Sequence, residues 1–411
     1  MIRIADRLSA VKPSASMAVS QAAKELAATG IDVIDLGLGE PDFAAPAHVT
    51  EAAFEAARTG RMLYTASLGL PEVRKAIQGK FKQENGLEFD LDEIAVANGA
   101  KQIIFNALMA TMNEGDEAVL PAPYFVSYPE MVKLFGGVPV TPACRAEDGF
   151  RLTPEILEAS ITERTRWLFL NMPGNPSGAV YSRAELAALG KVLAKYPDVL
   201  VLSDEIYEHI LFDGREFVSF GAACPELRDR SLIVNGVSKA YAMTGWRVGY
   251  AAGPRSLIKA MATIQSQSCT SVCTVAQLAT KAALEGPQDD VVRYRDAFER
   301  RRNLVVEGIS RVSGLTLAPP EGAFYAYIGC AELIGARTPS GEVLENDMAV
   351  ANFLLNVAHV AAVPGTAYGL SPFFRISTAT SETDLSDAIA RIAAAVGQLE
   401  LSMECINEHA L

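Results

Sequence analysis

The chain has 411 residues, half of them apolar and 21% charged, enough for one large domain and a smaller companion, and too apolar for a disordered protein. A formal net charge of −13 excludes a general nucleic-acid surface, because a duplex binder needs a basic face to neutralise phosphates. No apolar run approaches the ~18 residues of a membrane span, and the N-terminal MIRIADRLSAVKP interleaves charged with apolar residues instead of forming a secretory signal, so the expected location is the cytoplasm.

Six cysteines, at positions 144, 224, 269, 273, 330 and 405, are too sparse for a disulfide framework and are expected to be buried free thiols. Cys269 and Cys273, four apart, would share a helix face.

In chain order, an amphipathic stretch over 17–29 precedes Gly30 and a short strand over 33–36. The following Gly37-Leu38-Gly39-Glu40-Pro41 contains a GxG, but Pro41 and Asp42 stand where a dinucleotide-binding helix would open, and no third glycine follows. From about His48 helices and strands alternate: helices over 48–59 and 71–85, a strand over 94–97, then Asn98-Gly99-Ala100-Lys101 turning into a helix through Met112. Such a strand-to-helix turn presents free backbone N–H groups to an anion. Strands follow at 118–120, 138–141, 167–170, 199–202 and 232–234, with a helix over 183–195 among them. Apolar strands alternating with helices predict a largely parallel sheet covered on both faces. Beyond Pro287 come a long charged helix over 291–312, strands near 315–318 and 324–328, a helix near 347–358, a strand over 374–377 and a closing helix from Glu382. The less regular alternation predicts a separate α+β domain.

The chemistry gathers at Ser238-Lys239. The apolar run Leu232-Ile233-Val234 ends in a small-residue turn with Gly236 and Ser238, and Arg247 lies eight residues past the lysine. A strand end is where open α/β sheets place ligands. A loop lysine is most often merely solvated; one partly desolvated beside a second cation is biased towards the neutral nucleophile that condenses with a carbonyl. The strand 199–205, VLVLSDE, ends in two carboxylates. An ATPase reading needs a GxxxxGK[ST] loop, which is absent, and a metal reading with Asp204, Glu205 and His209 lacks supporting histidines. Joined to Lys239, Asp204 suits a pyridoxal phosphate site, which requires a lysine, a carboxylate for the ring nitrogen and a phosphate clamp. The Asp204 carboxyl is expected to be held low by that cationic partner.

Segments in order along the chain then carry a resemblance: Lys12-Pro13-Ser14, Gly39-Glu40-Pro41-Asp42-Phe43, Tyr64, Gly99-Ala100-Lys101-Gln102, Pro123 to Pro129 (PYFVSYP), Asn175-Pro176-Ser177-Gly178, Ser203 to Tyr207 (SDEIY), Ser238-Lys239, Thr244 to Gly249 (TGWRVG) and Phe374-Arg375-Ile376-Ser377. The sequence resembles a class I aminotransferase of the fold-type I pyridoxal phosphate family, close to the bacterial aspartate/prephenate aminotransferase branch. The resemblance implies a large domain over 48–287, with a mostly parallel seven-stranded sheet sandwiched by helices. It also implies a smaller α+β domain over 288–411, with 1–47 forming an N-terminal arm and part of the small domain.

By the same resemblance, Lys239 forms the Schiff base and shuttles the substrate α-proton, Asp204 pairs with the pyridinium, and Asn175 and Tyr207 bond the phenolic oxygen. Gly99, Ala100, Lys101, Ser238 and Arg247 would seat the phosphate, with Tyr64 reaching in from the partner of a homodimer. Phe125 would stack on the ring where this branch usually has tryptophan, keeping a π face but no N–H donor. Arg375 and Gly39 would take the substrate α-carboxylate, with Asn175 beside them, and Lys12 and Lys101 would face a distal carboxylate. Ser16 replaces a common threonine, and Gly174 replaces an asparagine and is expected to widen the pocket. The implied reaction moves the amino group of an L-amino acid, aspartate or glutamate foremost, to 2-oxoglutarate or oxaloacetate by a ping-pong mechanism. Aromatic amino acids and prephenate are credible additions. A lyase or decarboxylase on the same fold and a non-catalytic cofactor-binding regulator are the alternatives.

Overall fold

The structure, a computed structural model, describes residues 2–60 and 62–401; Cys405 lies outside them. The first strand, β1 (Ile34–Asp35), is short and pairs far along the chain. The next seven share one sheet: β2 (Ile94–Ala97), β3 (Glu117–Val119), β4 (Val138–Val140), β5 (Thr165–Asn171), β6 (Leu200–Asp204), β7 (Ser231–Gly236) and β8 (Gly249–Ala252). Their spatial order is β2-β8-β7-β6-β5-β3-β4. Only β8 runs against its neighbours. The largely parallel sheet expected from the alternating pattern is thus present.

Each strand of its centre is buried on both faces because successive side chains point to opposite sides. Ile94, Leu168, Val201 and Ile233 enter one apolar core with the helices Ala47–Arg58, Pro71–Asn85, Arg183–Leu193 and Thr274–Glu285. Ala95, Phe169, Leu202 and Leu232 enter the other, with Ala100–Thr111, Arg255–Ser268 and Asp289–Ile309. A fully buried side chain such as Phe81 contributes about 1.5–3 kcal/mol.

Local chemistry sets the helix ends. Pro71 opens its helix at a position needing no N–H, and Gly86, at φ 66°, closes it in the left-handed region. Ser182 accepts from the Glu185 N–H at 3.3 Å while Glu185 accepts from the Ser182 N–H at 2.7 Å, a reciprocal cap that starts Arg183–Leu193.

The C-terminal elements build a second core. β9 (Tyr325–Gly329), β11 (Val363–Pro364) and β12 (Phe373–Ser377) form an antiparallel sheet in the order β11-β12-β9, while β10 (Val360–Ala361) pairs in parallel with β1. Leu36 joins Val305, Ile376 and Ile392 in this core, so the N-terminal segment packs with the C-terminal third.

Some sequence expectations are corrected. The strand near 315–318 is a single bridge, Thr316 to Gly329, because Pro319 and Pro320 lack the N–H groups that would extend a ladder. The helix over 347–358 is α-helical only over Asp347–Phe353 and widens over Leu354–Ala358. Cys269 and Cys273 do not share a helix: one follows Arg255–Ser268 and the other precedes Thr274–Glu285. Cys144, Cys224 and Cys330 are buried free thiols, but Cys269 is half-buried and Cys273 exposed.

Candidate active site

Parallel pairing brings two strand ends into one row beside β7: Asn171 closes β5 opposite Asp204, which closes β6 opposite Val234 of β7. Beside them Ala97, Gly249 and Gly236 form a second row. The segments that leave these rows enclose a cavity of about 540 Å³, within the size range of cofactor sites.

Lys239 stands three residues past β7, and its ammonium donates to the Gly39 carbonyl at 2.7 Å. Burial pulls its pKa down to about 8; Glu40 opposes this, Arg375 and Arg247 add to it, and Asp204 opposes it weakly. Asp204 is 6% exposed, accepting from the Tyr128 hydroxyl at 2.7 Å and the Ile206 N–H at 3.4 Å. Burial pushes its carboxyl up to about 6 against those hydrogen bonds and Lys239. The depressed carboxyl expected from the sequence is therefore not a property of the protein by itself: depression needs a cation against the carboxylate, and Lys239 is too weakly coupled to supply it.

The second carboxylate of the strand end takes a different part. Glu205 accepts from Ser203, Ser219 and the Phe220 N–H, at 2.8 to 3.0 Å, and burial followed by Glu208 raises it to about 8. It pins a loop away from the cavity. Glu208, three residues further, accepts from the ammonium of buried Lys80. The cluster of metal-ligating atoms at Glu84, Glu208 and His209 thus already holds a cation and lies outside the Lys239 cavity.

At the other end Arg375, on β12 and 2% exposed, donates to the Gly37 carbonyl and, at 3.3 Å, to Asn175 Oδ1. Its Nε has no partner, and among the described residues no carboxylate pairs with it. Its guanidinium lies 4.6 Å from the Tyr325 ring centre. The Tyr207 hydroxyl is 2.8 Å from that of Tyr325, and burial holds Tyr207 well above the ordinary phenol range.

The helix Ala100–Thr111 starts with no capping side chain, and among the described residues the N–H groups of Ala100 and Lys101 have no acceptor. Gly99 has φ 88°, and a Cβ there would come within 2.6 Å of an Arg247 nitrogen. Arg247, itself left-handed at φ 55°, donates to the Thr244 carbonyl at 3.0 Å and pairs with no carboxylate among the described residues. Lys101 sits 5.2 Å from the Phe125 ring centre, its pKa lowered by burial and then by Arg247.

Ala100, Lys101, Phe125, Asn175, Asp204, Tyr207, Ser238, Lys239, Arg247, Arg375 and Gly39 all line the cavity. Gly99 abuts it through Arg247. Lys12 does not line it: its side chain is exposed and its N–H is bonded to Glu130 at 2.6 Å. Tyr64 is 91% exposed on this chain. Gly174 does not widen the cavity, since it lines a small neighbouring one and a Cβ there would meet Ser177 Oγ at 2.9 Å. Gly236 lies within β7, not in a turn, where the Val248 carbonyl would be 3.1 Å from a Cβ. Sequence reasoning gave no role to Tyr128 or Tyr325. The available signal was that a tyrosine in a buried run needs a partner for its hydroxyl.

The fold is α/β, and the site sets a buried lysine among groups that suit a phosphate-bearing carbonyl compound. The family described as Aminotransferase class I and II matches residues 31–392. The chain is 52% identical over 395 residues to an aspartate aminotransferase of Rhizobium meliloti (strain 1021), covering 96% of each chain. It is 52% identical over 394 residues to an aspartate/prephenate aminotransferase of Cereibacter sphaeroides, covering 96% of this chain and 98% of that one. The crystal structure of the Rhizobium meliloti aspartate aminotransferase matches with a TM-score of 0.95 over 97% of this chain and 100% of that one, at 52% identity. The Thermus thermophilus aspartate aminotransferase with maleate matches with a TM-score of 0.89 at 42% identity, over 96% and 100%. The chain belongs to the class I and II aminotransferases; it is a pyridoxal phosphate-dependent transaminase acting on amino acids and 2-oxo acids.

The residues present fit that cofactor. A buried Asp204 without a close cation, two N–H groups without acceptors and an arginine without a carboxylate are the complements of a pyridinium and a phosphate.

Proposed function

We propose that the chain is an aspartate aminotransferase, with Lys239, Asp204 and Tyr207 as catalytic residues. The observation that carries the substrate class is that, beyond Lys239 and Arg247, the cavity is lined by Arg375 and Lys101, each without a carboxylate partner among the described residues. A dicarboxylic amino acid or 2-oxo acid supplies both partners. The maleate of the Thermus thermophilus structure likewise carries two carboxylates.

Pyridoxal phosphate supplies an electron sink that stabilises negative charge at the substrate α-carbon. Arg375 takes the α-carboxylate, and a charged hydrogen bond of this type is worth about 1.5–3 kcal/mol. Gly39 and Asn175 flank that end, and Lys101 faces the distal carboxylate. Lys239, neutral in a useful fraction because of its burial, would be the residue that holds the cofactor and, when free, would take the substrate α-proton on Nζ and return it. Asp204, fixed by Tyr128, would hold the ring-nitrogen proton, while Asn175 and Tyr207 would be the donors to the ring oxygen. Gly99, Ala100, Lys101, Ser238 and Arg247 would seat the phosphate, and Phe125 would cover the ring.

The same proposal includes a homodimer in which Tyr64 reaches the partner's phosphate, a cytoplasmic location, and the division into 48–287 and 288–411 with 1–47 shared. Support for that division comes from the separate sheets and from β1 pairing with β10. Lys12 belongs to the proposal only as a residue that a partner chain or a closure brings in.

The purified holoenzyme mixed with L-aspartate tests the activity: its visible absorbance band should shift and oxaloacetate should appear, with no side-chain fragment of the kind a lyase releases. A band that ignores aspartate and glutamate but responds to aromatic amino acids would move the chain to the aromatic reading. A donor panel on Phe125→Trp beside wild type should raise the preference for aspartate, since tryptophan adds an N–H donor.

A further inference from the structure

We infer that Tyr325 is a positioning residue of the transamination site: its hydroxyl donates to the Tyr207 hydroxyl, so that the Tyr207 proton is left for the cofactor's ring oxygen. The inference rests on the role proposed above for Tyr207.

Tyr325 opens β9, in the sheet that also carries Arg375, and pairs with Ser377 two residues beyond that arginine. Tyr207 comes from the other side, just past β6. Their hydroxyls are 2.8 Å apart, and the two side chains are 3% and 4% exposed, so no solvent competes for the bond. Each phenol carries one proton. Among the described residues the Tyr325 hydroxyl has no second partner, so a Tyr207 proton turned to the cofactor leaves the Tyr207 oxygen to accept from Tyr325.

The Tyr325 ring is fixed from several sides. The two tyrosine rings meet edge to face, 5.8 Å apart at 82°. Arg375 stacks on the Tyr325 ring, and a Cβ at Gly39 would fall on its hydroxyl. This last contact explains why position 39 must be glycine, for its φ requires none. A donor on the Tyr207 oxygen strengthens Tyr207 as a donor in turn. Charge is then drawn from the ring oxygen, which relaxes its hold on the proton of the neighbouring nitrogen.

The test is a spectrophotometric pH titration of the holoenzyme as wild type, Tyr325→Phe, Tyr207→Phe and the double variant. Phenylalanine at 325 keeps the ring, the face under Arg375 and the edge contact, and removes only the hydroxyl. The titration midpoint should rise by roughly 0.3–0.6 in Tyr325→Phe. It should rise further in Tyr207→Phe, and no further in the double variant than in Tyr207→Phe alone. Maleate affinity for the fully protonated form, extrapolated from the same spectra over pH, should be unchanged in Tyr325→Phe. An unmoved midpoint, or a Tyr325→Phe shift that persists undiminished without the Tyr207 hydroxyl, overturns the inference. A Tyr207→Phe midpoint equal to wild type would instead overturn the role of Tyr207, and this inference with it.

Discussion

Lys239 and Asp204 carry opposite charges, yet burial moves their protonation equilibria towards each other, the lysine down to about 8 and the carboxyl up to about 6. A basic group gives up its proton as pH rises, so the nucleophilic amine appears as pH passes about 8 instead of the ordinary 10.5. Protein stripped of cofactor should therefore capture pyridoxal phosphate at a rate that climbs through a midpoint near pH 8, followed by absorbance. A midpoint near 10 would mean that Lys239 feels neither burial nor the two arginines. The contrast with Glu205 shows why a pair of adjacent carboxylates is ambiguous in a sequence. Asp204 meets Tyr128 at the cavity, whereas Glu205 is consumed by three donors behind it.

The start of the helix Ala100–Thr111, proposed above as the phosphate seat, lies where it does only because β8 lets it approach. Ala97, Gly249 and Gly236 lie side by side, and a Cβ on Gly249 would strike the backbone of Gly99 and the Ala100 nitrogen. Position 249 is glycine for space, since its φ is not in the left-handed region. Gly249→Ala should displace the helix start, destabilising the protein by about 1–3 kcal/mol in denaturant titrations. It should also weaken cofactor binding by roughly tenfold or more, since a charged hydrogen bond is worth about 1.5–3 kcal/mol. Loss of stability with cofactor affinity intact would separate the glycine from the phosphate seat. At this scale much was legible: strand 94–97 and helix 71–85 follow directly from apolar runs, Pro71 and Gly86. The stretch 315–318 was misread because its apolar residues look like a strand until the paired prolines are given their due.

At the scale of the molecule the site draws on segments from Gly39 to Arg375, so no sequence-local unit contains it. Met62, Leu63 and Tyr64 stand 61%, 80% and 91% exposed, three consecutive large side chains suited to a partner chain. If Tyr64 serves the neighbouring site, co-expressing Tyr64→Ala with Lys239→Ala should yield hybrid dimers with one complete site each. Random pairing gives roughly a quarter of wild-type activity, although either variant alone is impaired. Activity no greater than the average of the two parent variants would place Tyr64 in its own subunit's site or in none.

The sequence by itself determined the alternation of helices and strands and pointed to Lys239 and the Gly99 to Lys101 turn, because each is written in a short run whose chemistry is local; Arg375 was legible only through the resemblance. Only the tertiary structure decided which polar residues share a cavity and in what protonation state. Burial, the dominant influence on Lys239 and Asp204, depends on what the whole fold places around them. The same holds for Tyr128 and Tyr325, whose partners lie 76 and 118 residues away, and for Gly39, whose lack of a side chain has meaning only once Tyr325 is beneath it.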